Sequence, residues 1–165
     1  MQKVRLYRSK KILAVFVVLS FVWAAWIFSM SNEPATVSAD RSGGISDVIT
    51  PLFFKGFETL SQNDKEAALS LVDHVVRKIA HFCIYAVLGT LISFSFFYKE
   101  QTWIWHICIP LLCGALYAAS DEIHQAFVPG RGPLVADVFL DSFGVLCGIL
   151  FTAIVTLIAT KKSRK

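Results

Sequence analysis

Four blocks of the sequence are apolar over a length that can cross a lipid bilayer, and they restrict the chain to few folds. The blocks are residues 12–30, 79–98, 103–120 and 138–160, each close to the ~20 residues that a helix needs to span the hydrocarbon core. Backbone groups in lipid must be hydrogen-bonded within their own segment, so helices are expected. Pro110 inside the third block predicts a kink or local adjustment, not a break. The sequence predicts an all-α polytopic membrane protein, a bundle of four transmembrane helices.

The composition agrees with a membrane protein. Hydrophobic residues make up 55% and charged residues 17% of the 165 residues, whereas soluble domains are usually about a quarter charged. A chain of this length suits one domain, which we expect to cover residues 1–165.

Unopposed cations at both ends of the chain predict its orientation. Five cations occur within residues 1–11 and four within residues 161–165, with no acidic residue among them. The positive-inside rule places both termini in the cytoplasm, which four crossings allow. Residues 31–78 and 121–137 then lie on the outer side. Such basic tails are topology signals and contacts for anionic lipids, so we expect membrane lipids and no nucleic acid as partners. The first block is long for a signal peptide, so we expect an uncleaved anchor.

The first outer segment divides into parts of different composition. Residues 31–44 are small, polar and turn-forming, and they predict a loop. The apolar residues of Ile45–Leu60 recur at near-helical spacing, which predicts short helices at the membrane interface, with Pro51 and Gly56 arguing against one continuous rod. Asn63 followed by Glu66 predicts a helix start. Nothing strongly breaks that helix before Tyr98, so the second crossing is expected to begin outside the membrane.

Ionisable and polar side chains gather at the outer ends of three predicted crossings. Charges so close to hydrocarbon are costly, so they must face one another, water or a polar ligand. Helical spacing places several of them on common faces. The set comprises Arg77, Lys78, His81 and Tyr85 on the second crossing, Asp121, Glu122, His124 and Gln125 on the third, Arg131 after the Pro129-Gly130 turn, and Asp137 and Asp141 at the start of the fourth.

The residue types in this set allow two kinds of chemistry. Acid–base catalysis without metal would use a histidine oriented by a carboxylate, and its candidates are His81, Asp121, Glu122, His124, Asp137 and Asp141. A divalent metal is a possible cofactor, since nitrogen and oxygen ligands could leave one position open for water; its candidates are His81, Asp121, His124, Asp137 and Asp141. The competing interpretation is a hydrogen-bonded network that only pins the helices together.

The cations in the set point to an anionic ligand. Arg77, Lys78 and Arg131 would bind the anion, with Tyr85 and Gln125 as further substrate-binding candidates. Anions available at an outer leaflet include lipid phosphates. A Pro-Gly turn could present Arg131 rigidly. The alternative is that Arg131 snorkels to the interface or pairs with Asp137.

Three ordered motifs resemble those of the VanZ-like family, bacterial membrane proteins named for a teicoplanin-resistance protein. They are "RKIAHFCIYAVLG" from Arg77, "YAASDEIHQAFVPGR" from Tyr117 and "DVFLDSFGVLCG" from Asp137, and "FSMSNEP" at the end of the first block is also similar. The resemblance implies a polytopic protein of the cell envelope and, for some members, reduced susceptibility to glycopeptide antibiotics. It implies no particular reaction. The family pattern covers the eleven residues of the set, together with Pro129 and Gly130.

These observations lead to one hypothesis and one alternative. The hypothesis is a site at the outer face of the bacterial cytoplasmic membrane that binds an anionic envelope lipid or lipid-linked cell-wall precursor, and hydrolyses or transfers part of it. The alternative is a non-catalytic protein that sequesters a lipid or partner, in which the polar cluster is a packing network. A transport pathway is a weaker third interpretation, since the other halves of the crossings hold few ionisable residues.

Overall fold

The computed structural model describes residues 10–96 and 103–162, and within these ranges its only regular secondary structure is helical. Helix α1 spans Lys10–Ser31, α2 spans Ala35–Phe53, α3 spans Gln62–Phe96, α4 spans Trp103–Gln125 and α5 spans Val135–Lys162, and a 3-10 helix covers Phe57–Thr59. Helices α1, α3, α4 and α5 are long and apolar enough to cross a membrane. The predicted all-α bundle with four such helices is therefore confirmed. The basic residues before Lys10 and after Lys162 lie outside the described ranges, as does Tyr98.

The crossing helices form where apolar runs meet no competing signal. In α1 no proline or glycine interrupts the run, and Phe21 is 73% exposed at the surface of the bundle. An apolar residue this exposed is expected where lipid covers a helix. In α4 Pro110 is accommodated within the continuous helix, as predicted. Helix α4 continues to Gln125, beyond the predicted end at residue 120, and α5 begins at Val135, ahead of residue 138.

The prediction of a loop over residues 31–44 is wrong for most of that segment, because α2 begins at Ala35 and continues through Gly43 and Gly44. Tertiary packing explains the difference. One face of α2 carries small hydroxyl residues that are buried, and Ser46 and Thr50 donate to carbonyls four residues earlier at 3.1 and 2.7 Å. This face packs against α3. Packing against α3 offsets the ~1 kcal/mol that each glycine costs in a helix, and the hydrogen bonds to the i−4 carbonyls satisfy the buried hydroxyls.

The other predictions for the first outer segment are partly correct. Pro51 lies in the last turn of α2, which ends at Phe53, and a separate 3-10 helix follows at Phe57–Thr59, so no continuous rod spans the segment. Gly56 does interrupt the helical structure, with a φ of +76° that favours glycine. The exposed face of α2 carries Val37, Ile45, Val48 and Leu52, a pattern typical of a helix that lies on a membrane surface.

Helix α3 is the longest element, with 35 residues from Gln62 to Phe96. As predicted, it begins well before its apolar part and continues into it without a break. The predicted cap at Asn63 is wrong, because the helix starts earlier. The Ser61 hydroxyl accepts a hydrogen bond from the Asp64 N–H at 3.3 Å and so takes the capping role.

Glycines allow α3 and α5 to pack in close contact at the centre of the bundle. A Cβ atom added to Gly148 would lie 2.0 Å from the Ala86 carbonyl oxygen, and one added to Gly89 would lie 2.2 Å from the Val145 carbonyl oxygen. Tyr85, Leu88, Val145 and Ile149 form the buried core around this contact. Gly114 and Gly144 also make close contacts, since an added Cβ would lie 2.5 Å from the Val145 side chain and 2.5 Å from the Phe82 carbonyl oxygen, respectively, and Ala118 belongs to the same core.

The helix directions define one end of the bundle, which we call the site end. Helices α1 and α4 end there, α5 begins there, and α3 passes through it. Hydrogen bonds between Ser31 and Asp121 and between Lys78 and Asp137 join these elements at that end. Helix α1 begins and α5 ends at the opposite end. The predicted cytoplasmic location of the termini remains a prediction.

Candidate polar ligand site

A polar cavity of about 250 Å³ opens at the site end. Its walls come from α2, α3, the α4–α5 connection and the start of α5. Helical spacing explains why α3 and α5 each contribute several polar side chains, since residues three and four apart share a face. Seven of the predicted site residues line it: Arg77, Lys78, His81, Gln125, Arg131, Asp137 and Asp141.

Two of the three predicted anion-binding cations already have carboxylate partners. The Lys78 ammonium donates to Asp137 across α3 and α5. One terminal nitrogen of Arg77 lies 2.9 Å from a carboxylate oxygen of Asp73, one helical turn earlier. The Arg77 Nε is buried and has no hydrogen-bond partner among the described residues. The alternative of an ion pair between Arg131 and Asp137 is wrong, because Lys78 takes that place.

Arg131 is held by a tight turn and keeps its charge available. Its N–H donates to the Val128 carbonyl at 3.2 Å, and Gly130 has a φ of +76°. Pro-Gly in this position with such a φ is the signature of a type II turn. The Pro129 carbonyl also accepts from the Ala35 N–H at 3.3 Å, which fixes the turn to the start of α2. The predicted rigid presentation of Arg131 has this backbone basis.

The Arg131 guanidinium is half-buried beside the cavity. Its nearest hydrogen-bond acceptor is the Met30 carbonyl at 3.5 Å, and among the described residues no carboxylate lies within ion-pair distance of it. Burial lowers the pKa of the Arg131 guanidinium, while the carboxylates of Asp121 and Glu33 oppose that shift. The ordinary pKa of arginine is so high that the group remains a cation at neutral pH.

His81 and Asp141 form a second pair at the cavity wall. The His81 Nδ1 lies 3.8 Å from an Asp141 carboxylate oxygen. Asp141 is only 2% exposed, and its other oxygen has no hydrogen-bond partner among the described residues. The His81 side chain is 35% exposed. Because Nδ1 faces the carboxylate, Nε2 is the ring nitrogen available to a ligand.

Asp121 lies in a buried network next to the cavity and does not line it. One of its carboxylate oxygens accepts hydrogen bonds from Ser31 at 2.9 Å, Tyr85 at 3.0 Å and Gln125 at 3.0 Å. Asp121 is 3% exposed. These bonds join the end of α1, the middle of α3 and the end of α4. Of the predicted site residues in this network, Gln125 alone also lines the cavity.

Glu122 and His124 are separate from the cavity. The buried Glu122 carboxylate accepts a hydrogen bond from the Leu134 N–H just before α5. The His124 ring packs against the Phe28 ring of α1, with ring centroids 4.4 Å apart. Both residues therefore contact neighbouring elements instead of the cavity that contains His81 and Asp141.

The predicted metal ligands do not converge. The five candidates fall into four separate groups: the His81–Asp141 pair, the Asp121 network, the Lys78–Asp137 pair and the ring contact of His124 with Phe28. Within residues 10–96 and 103–162, no group of three or more His, Cys, Asp and Glu side chains could hold a metal ion. The described residues as arranged do not fit a metal.

Some residues of the site were missed at the level of sequence. Ser31 bonds Asp121, and Ala35, Ser38 and His74 line the cavity. The four-residue spacing of Ser38, Ser42, Ser46 and Thr50 was a usable signal for α2. His74 lies one turn before Arg77, which places both on one side of α3.

Comparison with known proteins identifies the family to which the sequence is similar. The family model described as VanZ/LLP1 matches residues 16–156, which includes α2 and every residue of the cavity wall. No curated protein and no solved structure matches the chain.

Proposed function

The chain belongs to the VanZ/LLP1 family, and from that premise we propose that it is a protein of the bacterial cytoplasmic membrane whose polar cavity binds an anionic envelope lipid or lipid-linked cell-wall precursor. With both termini in the cytoplasm, the cavity faces the outer leaflet. The observation that carries the proposal is the cavity itself, in which the unpaired cation Arg131 lies with Arg77, Lys78 and the His81–Asp141 pair. A change in susceptibility to teicoplanin-type glycopeptides is the cellular consequence that we propose.

Arg131 supplies the main contact to the anion. A guanidinium can donate two parallel N–H groups to a phosphate or carboxylate, and its turn holds it in place before the ligand arrives. Arg77 lines the same cavity and adds positive charge there, although its guanidinium is paired with Asp73. Lys78 shares its charge with Asp137 and so contributes less. The proposal therefore ranks Arg131 first among the three cations.

His81 and Asp141 supply proton transfer on the bound ligand. His81 Nε2 would accept a proton from a water or hydroxyl group as its oxygen bonds to the phosphorus or carbonyl carbon of the anionic group. The bond from that atom to the leaving oxygen would break, and the imidazolium, stabilised by the Asp141 carboxylate, would return the proton to the leaving oxygen. The reaction class is hydrolysis or transfer at the anionic group. Tyr85, Asp121, Glu122 and His124 hold the helices around the cavity.

A specific observation favours a second candidate, a non-catalytic protein that sequesters the lipid. The His81–Asp141 distance of 3.8 Å is too long for a hydrogen bond. Catalytic hydrogen bonds commonly tighten only when substrate binds, so a functional test must separate the two candidates.

The test compares binding with turnover in detergent-purified full-length protein. Radiolabelled polyprenyl diphosphate and lipid-linked cell-wall precursor serve as ligands, and the variants are His81→Gln, Asp141→Asn and Arg131→Gln. If the protein is an enzyme, the His81→Gln and Asp141→Asn variants still retain the ligand but no longer form product. Retention by wild type without any product supports sequestration. A folded wild-type protein that retains neither ligand refutes the proposal, and teicoplanin susceptibility of cells expressing each variant tests the cellular consequence.

A further inference from the structure

A second, smaller cavity of about 190 Å³ adjoins the polar one, and we call it the apolar annex. It lies between the end of α1, the first half of α2 and the middle of α3. Ser38, Arg77, His81 and Arg131 line both cavities. The two spaces are therefore neighbours that share one wall, on which the proposed anion-binding and proton-transfer groups lie.

The annex is apolar where the first cavity is polar. Most of its exposed lining is hydrocarbon, from Ile27 and Met30 of α1, Ile45 of α2, and Ala80 and Ile84 of α3, and the charged side chains Glu33 and Arg41 at its wall are paired with each other. It follows α3 from Val76 to Tyr85, about 13 Å at the helical rise of ~1.5 Å per residue. A small hydrophilic anion would make no use of such a surface.

The annex also leads from the polar end of the bundle toward membrane depth. Ile27 and Ile84 belong to the apolar parts of two membrane-spanning helices. The Trp23 indole N–H donates to the Ile84 carbonyl at 3.0 Å and ties α1 to α3 at this level. Ala80 and Ile45 are exposed at the outside of the bundle, so a chain in the annex can continue into surrounding lipid.

We propose that the ligand of the polar cavity is an anionic lipid with a single hydrocarbon chain, whose first carbons occupy the apolar annex. This inference rests on the proposed function and specifies its ligand class. The anionic group contacts Arg131 and Arg77, and the chain leaves along α3 past Ala80 and Ile84. Each methylene buried in the annex is expected to tighten binding about fourfold. One annex of this size beside the anion site accommodates one chain.

Photo-cross-linking tests the path of the chain. The probe is dodecyl phosphate with a diazirine on one of the carbons nearest the phosphate, added to the purified full-length protein. We expect cross-links at Met30, Ile45, Ala80 or Ile84 that excess unlabelled dodecyl phosphate suppresses. Cross-links concentrated on α4 and α5, or cross-links that competition leaves unchanged, would overturn the inference.

A matched pair of variants tests the annex by affinity. Ala80→Leu fills the annex, and Ala25→Leu makes the same change at an exposed position that lines neither cavity. We expect wild type to bind dodecyl phosphate at least tenfold tighter than ethyl phosphate, roughly the effect of burying two methylenes. Ala80→Leu is expected to lose that preference while keeping its affinity for ethyl phosphate, and Ala25→Leu to retain it.

The outcomes distinguish a failure of the single-chain inference from a failure of the proposed function. Equal affinity of wild type for both phosphates overturns the single-chain inference and leaves the anion site standing. A diacyl phosphate that binds as tightly as dodecyl phosphate overturns the single-chain assignment. Failure of a folded wild-type protein to bind any of these anions refutes the proposed function itself. If Ala80→Leu does not fold, the cross-linking result on wild type decides the matter.

Discussion

Replacing Gly148 with alanine tests the close approach of α3 and α5 that supports the site. The added Cβ would lie 2.0 Å from the Ala86 carbonyl oxygen and 2.7 Å from the Thr90 amide nitrogen. Both contacts are with backbone atoms, which cannot rotate away as a side chain can, so the two helices must separate. Overpacking of this kind costs typically about 1–3 kcal/mol, and backbone contacts favour the upper end.

Helix propensity opposes only part of that cost. Alanine is favoured over glycine in a helix by up to ~1 kcal/mol, so the expected net destabilisation is about 2 kcal/mol. On the scale known for soluble domains of this size, that lowers the Tm by about 4–8 °C. The assay is thermal unfolding of the detergent-purified protein followed by intrinsic tryptophan fluorescence.

Gly44→Ala is the matched control for this change. It is the same substitution within a helix, at a glycine where nothing lies within 4 Å of the added Cβ. We expect its Tm to be unchanged or raised. A Gly148→Ala protein as stable as wild type would refute the described packing of α3 against α5.

Three further changes test the parts around the cavity. Tyr85→Phe removes the hydroxyl that donates to the buried Asp121 carboxylate at 3.0 Å. We expect the free energy of unfolding to fall by about 1.5–3 kcal/mol and the affinity for ethyl phosphate to stay unchanged. A Tm equal to that of wild type would contradict the structural role of this bond. Gly130→Ala places alanine at a φ of +76° with its Cβ 3.2 Å from that of Ala35. The backbone strain costs about 1–2 kcal/mol, and we expect it to displace Arg131 and weaken anion binding. Unchanged affinity would show that the turn does not position the guanidinium. Ser61→Ala removes the cap of α3, and a loss of about 1 kcal/mol is expected from thermal unfolding, whereas the equivalent Asn63→Ala change should have little effect.

The crossing helices could be predicted because their apolar runs leave the backbone no alternative in lipid. Helix α2 could not be predicted from composition, since Gly43, Gly44 and Pro51 all weaken a helix in isolation. Its helical state depends on burial of Ser46 and Thr50 against α3, a tertiary effect that overrides local preference.

The candidate site was predictable to the extent that helical spacing determines direction. The four-residue spacing of Arg77 and His81, and of Asp137 and Asp141, placed these four residues on the cavity wall. The location of Glu122 and His124 outside the cavity depends on how α4 is rotated against its neighbours, which spacing alone does not determine. The same holds for the pairing of Lys78 with Asp137, because it requires the packing of α3 against α5.

Binding of an anion at Arg131 is the central claim, and one affinity measurement tests it most directly. Dodecyl phosphate is titrated into purified wild type, Arg131→Gln and Lys55→Gln, where Lys55 is an exposed cation outside both cavities. Loss of a charged hydrogen-bond partner costs about 1.5–3 kcal/mol, so Arg131→Gln is expected to bind about 10–150-fold more weakly, and Lys55→Gln to bind like wild type. Equal affinities for all three folded proteins would contradict the account.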